Sequence, residues 1–407
     1  MSIHLSRPTR RAVATAAVAA LAGALAGVVA TPAVAAPPDT APGKPLTVMT
    51  RNIYLGGDIN RPLRATAGKT GAAALVAFGN SNDELRAVVD QTSFPVRSKL
   101  LAAEIASQRP DVVGLQEVAL WRSGPLELGA IGTANATTVD YDFLATFTSD
   151  LAATGAQYRV VNVQQESDVE GPAFKGNPFA GTMTDPRDVR LTMRDAMLVR
   201  VDPGLTVQAS GGAQYATRLS VSVGGVPFVF IRGYNWADVR NGSTVVRVIN
   251  THLESASSDI ALGQARELLA GPAAPSSKPT IVVCDCNSDP LDHSVKTTDP
   301  LGTPHSGPYD FIVASGFTDE WLRWRPGSCP VDARDDGCTS GLSEGVMDPT
   351  SAGFDHRIDL VFARTSVGGA AVDRGTVTGN SVANRDAATG LWPSDHAGVV
   401  MRLRGLH

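Results

Sequence analysis

Short apolar runs that close on polar residues recur along the chain. Residues 46–53, LTVMTRNI, read as a strand ending at Asn52. Residues 111–117, DVVGLQE, form a second such run, ending in a carboxylate. Further strands are predicted at 157–164, 195–201, 226–232, 244–252, 279–285, 358–363 and 397–403. Helical spacing of Leu100, Leu101, Glu104 and Ile105 predicts a helix over 96–108, stopped by Pro110. A second helix is expected at 259–270, closed by Gly271-Pro272, and a short one at 308–315. Residues 56–82 are rich in Gly, Ala and Asn and read as a long loop with a short helix at most. Residues 121–140 and 326–353 also read as loops. Many short strands with few helices between them predict an α/β fold of two packed sheets with helices outside.

The first residues follow another pattern. Arg7, Arg10 and Arg11 precede an almost unbroken Ala, Val, Leu and Gly stretch over 12–30, and Ala33-Val34-Ala35 offers small residues at a cleavage spacing. Residues 1–35 are therefore expected to be a secretory signal peptide, with a membrane anchor as the alternative. Arg10-Arg11 is a poor match to a twin-arginine signal, so the export route stays open. Residues 36–45, APPDTAPGKP, form a Pro-rich linker, leaving 46–407 as one domain. No later apolar run reaches the length of a membrane span, so no stable membrane insertion is expected, and a secreted monomer is.

Removing residues 1–35 takes away three arginines and no acid, so the net charge moves from −5 to −8. That balance argues against broad electrostatic adhesion to nucleic acid and suits a protein that collects divalent cations. An exported chain permits disulfides. Cys329 and Cys338 bracket a polar loop and form the expected bridge. Cys284 and Cys286 are expected to stay unpaired as small apolar residues, because side chains two apart on a strand run parallel. A zinc site is the sharper alternative, but no second C-x-x-C or His pair accompanies them.

Chemistry collects at the strand tips. In IVVCDCNSDP (281–290), Asp285 and Asn287 point one way and the two cysteines the other. The strand over 244–252 ends at Thr251-His252, Asp359 sits inside IDLVF, and Ser394-Asp395-His396 precedes AGVVMRL. A lone buried carboxylate is costly, so Asp359 should have a partner. In a two-sheet sandwich the tips gather at one edge. Oxygen ligands from Glu117, Asp395 and Asn52 suit Mg²⁺, with Mn²⁺ or Ca²⁺ as alternatives, better than zinc. A hard cation beside two histidines fits phosphoester hydrolysis.

Eight stretches carry a resemblance: TRNIYLG (50–56), VVGLQEV (112–118), TMRDAMLVR (192–200), VINTHLES (248–255), VVCDCNSDP (282–290), GFTDEW (316–321), RIDLVF (357–362) and PSDHAGVV (393–400). In this order they resemble the endonuclease/exonuclease/phosphatase superfamily, which includes DNase I-like nucleases, abasic-site endonucleases, neutral sphingomyelinases and inositol polyphosphate 5-phosphatases. The resemblance implies a four-layer α/β/β/α sandwich of two mixed sheets. It implies that Glu117 is the principal metal ligand, with Asp395 beside it and Asn52 near metal and phosphate. It makes His252 the histidine that contacts the phosphate or protonates the leaving group. Asp285 and Asn287 then activate and position the attacking water, Asp359 orients His396, and His396 holds the scissile phosphate. Arg194 matches a phosphate-contacting arginine. The sequence departs at Cys284-Asp285-Cys286-Asn287, where the family usually has Gly-Asp-Phe-Asn.

The substrate stays open between three classes: nucleic acid, sphingomyelin or another phospholipid, and a small soluble phosphate ester. Arg194, Arg232, Arg240 and Arg247 are candidates for a phosphate path. Trp321 and Trp324 are candidates for a lipid-entering element but adjoin the Asp-x-Trp motif and read as core. A catalytically inactive binding module is the alternative of another class, and the retention of every expected site residue speaks against it.

Overall fold

β1 (Leu46–Asn52) is buried along its whole length, because it lies between two strands and two layers. The computed structural model describes residues 44–202, 204–223, 225–326, 329 and 337–407. The expected signal peptide, and the expected linker up to residue 43, lie outside the described residues. After β1 come α1 (Arg61–Thr66), α2 (Gly71–Gln91) and α3 (Phe94–Gln108), then β2 (Val112–Gln116), β3 (Leu120–Gly124), β4 (Thr138–Asp142) and α4 (Phe143–Ala153). β5 (Tyr158–Lys175) and β6 (Thr184–Arg200) form a long hairpin, followed by β7 (Leu205–Gln214), β8 (Leu219–Val223), β9 (Val226–Phe230), β10 (Gly233–Asn241) and β11 (Thr244–His252). α5 (Ser258–Ala270), β12 (Thr280–Asp285), α6 (Gly307–Ala314), β13 (Thr318–Asp319) and α7 (Glu320–Trp324) lead to β14 (Asp359–Arg364), β15 (Ala371–Thr378) and β16 (Gly398–Arg404).

The strands make two mixed sheets and a small β8–β9 ribbon. The first sheet runs β15-β16-β1-β2-β6-β3-β4, with β5 on the other edge of β6. The second runs β13-β14-β12-β11-β10-β7. β1 pairs parallel with β2, and β11 parallel with β12, while the remaining ladders are antiparallel.

Alternation along the strands sorts the core into layers. Ile281 and Val283 of β12 meet Val48, Val112 and Val399 between the sheets. Val282 and Cys284 face outward onto Ala261, Ala265 and Leu268 of α5 and Ile312 of α6. On the far side, Met49, Val113 and Leu198 pack against Leu101 and Ile105 of α3 and Phe143 and Phe147 of α4. Helix, sheet, sheet, helix is the expected four-layer architecture, and it brings the tips of both sheets to one edge.

Several expectations change. The supposed loop over 56–82 holds α1 and most of α2, whose buried face runs Ala74, Phe78, Asn82, Leu85 and Val89. The supposed loop over 121–140 contains β3 and the start of β4. β7, β8, β10 and β15 were not anticipated, and β5 and β6 extend well beyond the predicted runs. Cys284 and Cys286 are joined in a disulfide, contrary to the expectation of unpaired thiols. Their Cα atoms are 5.1 Å apart, against about 6.6 Å for two residues of extended strand. The strand ends at Asp285, and Asn287 turns the chain with φ of 45°, so the side chains converge. Cys329 and Cys338 are bridged as expected.

Candidate active site

Register places the site residues. At the tip of the second sheet, His252 lies opposite Asp285 in the parallel β11–β12 ladder, and Asp285 lies opposite Asp359 in the antiparallel β12–β14 ladder. At the tip of the first sheet, Asn52 pairs with Gln116, and Glu117 follows directly. Asp395 and His396 precede β16, which runs beside β1. Glu117, Asn287 and Tyr54 all have positive φ, at 60°, 45° and 58°. Such backbone is uncommon for Glu and Tyr, though Asn adopts it readily, and it clusters at functional sites.

The two sheets meet through side chains. Asn52 Nδ2 donates to Asp285 Oδ2 at 2.9 Å, and Asn287 N donates to Asp285 Oδ1 at 3.1 Å. His252 Nε2 lies 3.4 Å and His396 Nε2 3.8 Å from Asp285 Oδ2. His396 Nδ1 donates to Asp359 Oδ2 at 2.8 Å, so Asp359 has the partner its burial demands. Leu55 N donates to Glu117 Oε2 at 2.8 Å. Ser394 Oγ donates to Asn52 O at 2.9 Å and accepts from His396 N at 3.1 Å.

Environment leaves one histidine neutral and the other cationic. His252 is pushed well below the ordinary imidazole value by burial, then by Arg232 and His396. Arg232 Nη1 lies 2.9 Å from His252 Nδ1 and 3.3 Å from Nε2. The shorter contact makes Nδ1 the acceptor and leaves the proton on Nε2, facing Asp285. For His396, burial opposes the charged form, but Asp359, Asp285 and Asp395 outweigh it and raise it well above the usual value. Burial, reinforced by Asp359 and Glu117 against the opposing pull of His396, pushes Asp285 up to about 7. Asp395 rises to about 6, chiefly through burial. Behind His252, the buried pair Glu166 and Asp195 are both raised, by burial and, for Asp195, by Glu166 next.

These groups open on a cleft of about 340 Å³. Its charged lining is Asp58, Glu117, Asp285, Glu344 and Asp395 against Arg232, with His252 and His396. Asp58 and Glu344 are paired with Arg64 and Arg61, so Glu117, Asp285 and Asp395 are the carboxylates that remain, and that donor set fits a bound divalent cation. Ligand atoms of Glu117, His252 and Asp285 lie within 4.8 Å of one another, as do those of Asp285, Asp359 and His396.

The family description "Endonuclease/Exonuclease/phosphatase family" matches residues 89–396. The chain belongs to this family. Members of the endonuclease/exonuclease/phosphatase family are phosphoester hydrolases. A family protein from Bacteroides thetaiotaomicron superposes with a TM-score of 0.50 at 16% identity, over 90% of this chain and 99% of that one. One from Beutenbergia cavernae gives 0.48 at 22%, over 89% and 72%. A mannosyl-6-phosphatase from Bacteroides thetaiotaomicron gives 0.48 at 17%, over 88% and 99%. No curated protein matches the chain.

Against the family pattern, the structure gathers Asn52, Glu117, His252, Asp285, Asn287, Asp359, Asp395 and His396. Asn52 and Arg194 are engaged within the protein. Asn52 Oδ1 accepts from Tyr54 N at 2.8 Å and its amide donates to Asp285, so it orients that carboxylate. Arg194 is outside the cleft lining; it binds Val118 O, Ala119 O and Asp142 Oδ1 at 3.0, 3.2 and 2.6 Å and so braces the segment after Glu117. Of the four candidate arginines, Arg232 lines the cleft. Arg247 is held by Asp238 and lies over the Trp236 ring, while Arg240 is exposed. Sequence reading missed Tyr54, Arg97 and Glu344. Arg97 is buried and binds Thr92 O, Ile53 O, Pro393 O and Tyr54 O, fastening the loop after β1 to the residues before His396. Glu344 sits in a Gly/Ser-rich loop, where nothing in the residue pattern marks it.

Proposed function

We propose that this protein is a secreted, divalent-cation-dependent phosphodiesterase that acts on a small phosphoester by in-line attack of water. The observation that carries the reading is the meeting of His252, Asp285 and His396 in a carboxylate-lined cleft. Asp285 has both oxygens anchored by Asn52 and Asn287 and is basic enough to accept a proton from water near neutral pH. As the water oxygen bonds to phosphorus, that proton passes to Asp285 and the phosphorus–leaving-group bond breaks. His252, neutral with its proton on Nε2, gives a hydrogen bond to the departing oxygen, which leaves as an anion and takes its proton from solvent. Cationic His396, held by Asp359, stabilises charge on the phosphoryl oxygens. Glu117 and Asp395, with Asp285 nearby, would hold Mg²⁺, whose chemistry is to neutralise and polarise a phosphoryl oxygen.

A cleft of about 340 Å³ has the size of a small-molecule pocket. The candidate arginines do not extend it into a basic track, which supports a small ester over a long nucleic acid. The test is hydrolysis of bis-p-nitrophenyl phosphate with Mg²⁺, before and after chelation. Chelation should abolish turnover. Asp285→Ala and His252→Ala should each lower it at least about 100-fold, with circular dichroism unchanged. Near-normal turnover in either folded variant would refute the roles. Parallel assays on plasmid DNA, sphingomyelin and an inositol phosphate rank the substrate classes.

A further inference from the structure

At the end of the sandwich away from the active site, an open pocket of about 560 Å³ lies where β1 begins. Thr47 lines it, roughly 17 Å along β1 from Asn52 at the active site. Its charge runs against that of the chain, which is −5 overall. Lys44, Arg109, Arg200, Arg374 and Arg402 line it with two acids, Asp111 and Asp202. Both acids are already engaged. Asp111 accepts from Arg200 and from Thr47 N, the latter at 2.8 Å. Asp202 accepts from Arg200 Nη1 and from Gly204 N, each at 2.8 Å. Arg200 is thereby neutralised, and the other four cations are not. Lys44 and Arg109 form no ion pair among the described residues. Arg374 Nη2 donates to the neutral Gln108 Oε1 at 3.3 Å. Arg402 Nε stands 3.7 Å from Asp373 Oδ2, while Asp373 Oδ1 is held by Arg404 Nε at 2.7 Å.

The backbone brings two of these cations together. In the β15–β16 ladder the register slips at Asp373, so Arg374 lies directly opposite Arg402. A bulge re-aims the side chains beside it, and like charges directly opposite each other on antiparallel strands destabilise a sheet. Both arginines are exposed, so packing does not require them there. We infer that this pocket binds a multivalent oxyanion, such as a short chain of phosphates, at a site separate from the cleft. Guanidinium groups grip phosphate oxygens through paired hydrogen bonds, and four cations around one space match several negative charges better than one. A bound anion turns the repulsion between Arg374 and Arg402 into attraction of both to the ligand. The inference is independent of the phosphoester reading, because it uses no residue of the cleft.

Titration calorimetry with tripolyphosphate and with orthophosphate, on protein freed of metal, tests it. Without a cation the carboxylates of the cleft disfavour either anion there. Tripolyphosphate should bind at least about tenfold more tightly than orthophosphate, raise the melting temperature and lose affinity steeply as sodium chloride is added. Arg374→Gln combined with Arg402→Gln should weaken tripolyphosphate about tenfold or more. The same double variant should be at least as stable as wild type in the absence of anion, because the repulsion leaves with the charges. Arg109→Gln, at the end of α3, should weaken tripolyphosphate as well, so the conclusion does not depend on one variant folding. Turnover of bis-p-nitrophenyl phosphate with Mg²⁺ should be unchanged in both proteins. Equal affinity for the two anions, binding of neither, or full tripolyphosphate affinity in both variants overturns the inference. Loss of turnover in the folded variants overturns the separation of pocket from cleft.

Discussion

The guanidinium of Arg232 does at His252 what carboxylates do at His396, with opposite sign. Burial and then Arg232 hold one ring neutral, and the carboxylates hold the other charged, which divides hydrogen bonding of the leaving oxygen from charge stabilisation between two identical side chains. Arg232→Gln should therefore let the His252 imidazole titrate at higher pH, visible by NMR, and lower turnover about tenfold or more. Glu320, fully buried, offers a test far from the cleft. Burial pushes its carboxyl up to about 7, against the lowering effect of Ala370 N. The folded state thus binds the proton more tightly than the unfolded chain. The contribution to stability is full below about pH 4.5 and falls as pH rises towards the folded value. Glu320→Gln should gain relative to wild type on moving from about pH 5 to about pH 8, by roughly 1–3 kcal/mol in urea unfolding.

At the scale of elements, Arg97 fastens α3 to two active-site segments by hydrogen bonds to four carbonyls. Arg97→Ala should cost at least about 3 kcal/mol and lower activity with it, read by urea melts and turnover on one preparation. The Cys284–Cys286 bridge closes so short a loop that chain entropy assigns it only about 1–2 kcal/mol. Its replacement by two alanines should leave the protein folded and active. The bridge was not legible because the residue pattern does not show the turn at Asn287, with φ of 45°, that draws the two side chains together. α2 was hidden for another reason. Its inward stripe includes Asn82 and Arg86, which break the apolar period even though both are buried. The outer halves of β5 and β6 carry no apolar run to mark them, because ion pairs such as Arg190–Asp168 help hold them together. β1, β2, β11, β12 and β14 were legible because each is short and carries apolar β-formers that stop at polar residues. Their polar tips then stood out, which is why most of the cleft could be read from the residues and Arg97, Tyr54 and Glu344 could not.

For the molecule as a whole, the proposal is that the acidic cleft takes a cation and that the apolar first residues direct export. If the signal-peptide proposal holds, N-terminal sequencing of protein recovered outside the cells should begin at Ala36. A start at Met1, or retention in the membrane fraction, would refute it. No helix among the described residues is long and apolar enough to cross a membrane.

Behind the cleft, Gln116 Nε2 donates to Asn250 Oδ1 at 2.6 Å and Asn250 Nδ2 to Leu115 O at 3.1 Å, joining β2 to β11 across the interior. The flanking contact between the layers is aliphatic and has no directional preference. Warming should therefore let one layer glide slightly over the other before any ladder opens. The Asn52–Asp285 bridge spans that same gap, so heat should silence the enzyme several degrees before its far-ultraviolet spectrum changes, and Asn250→Val should widen the interval.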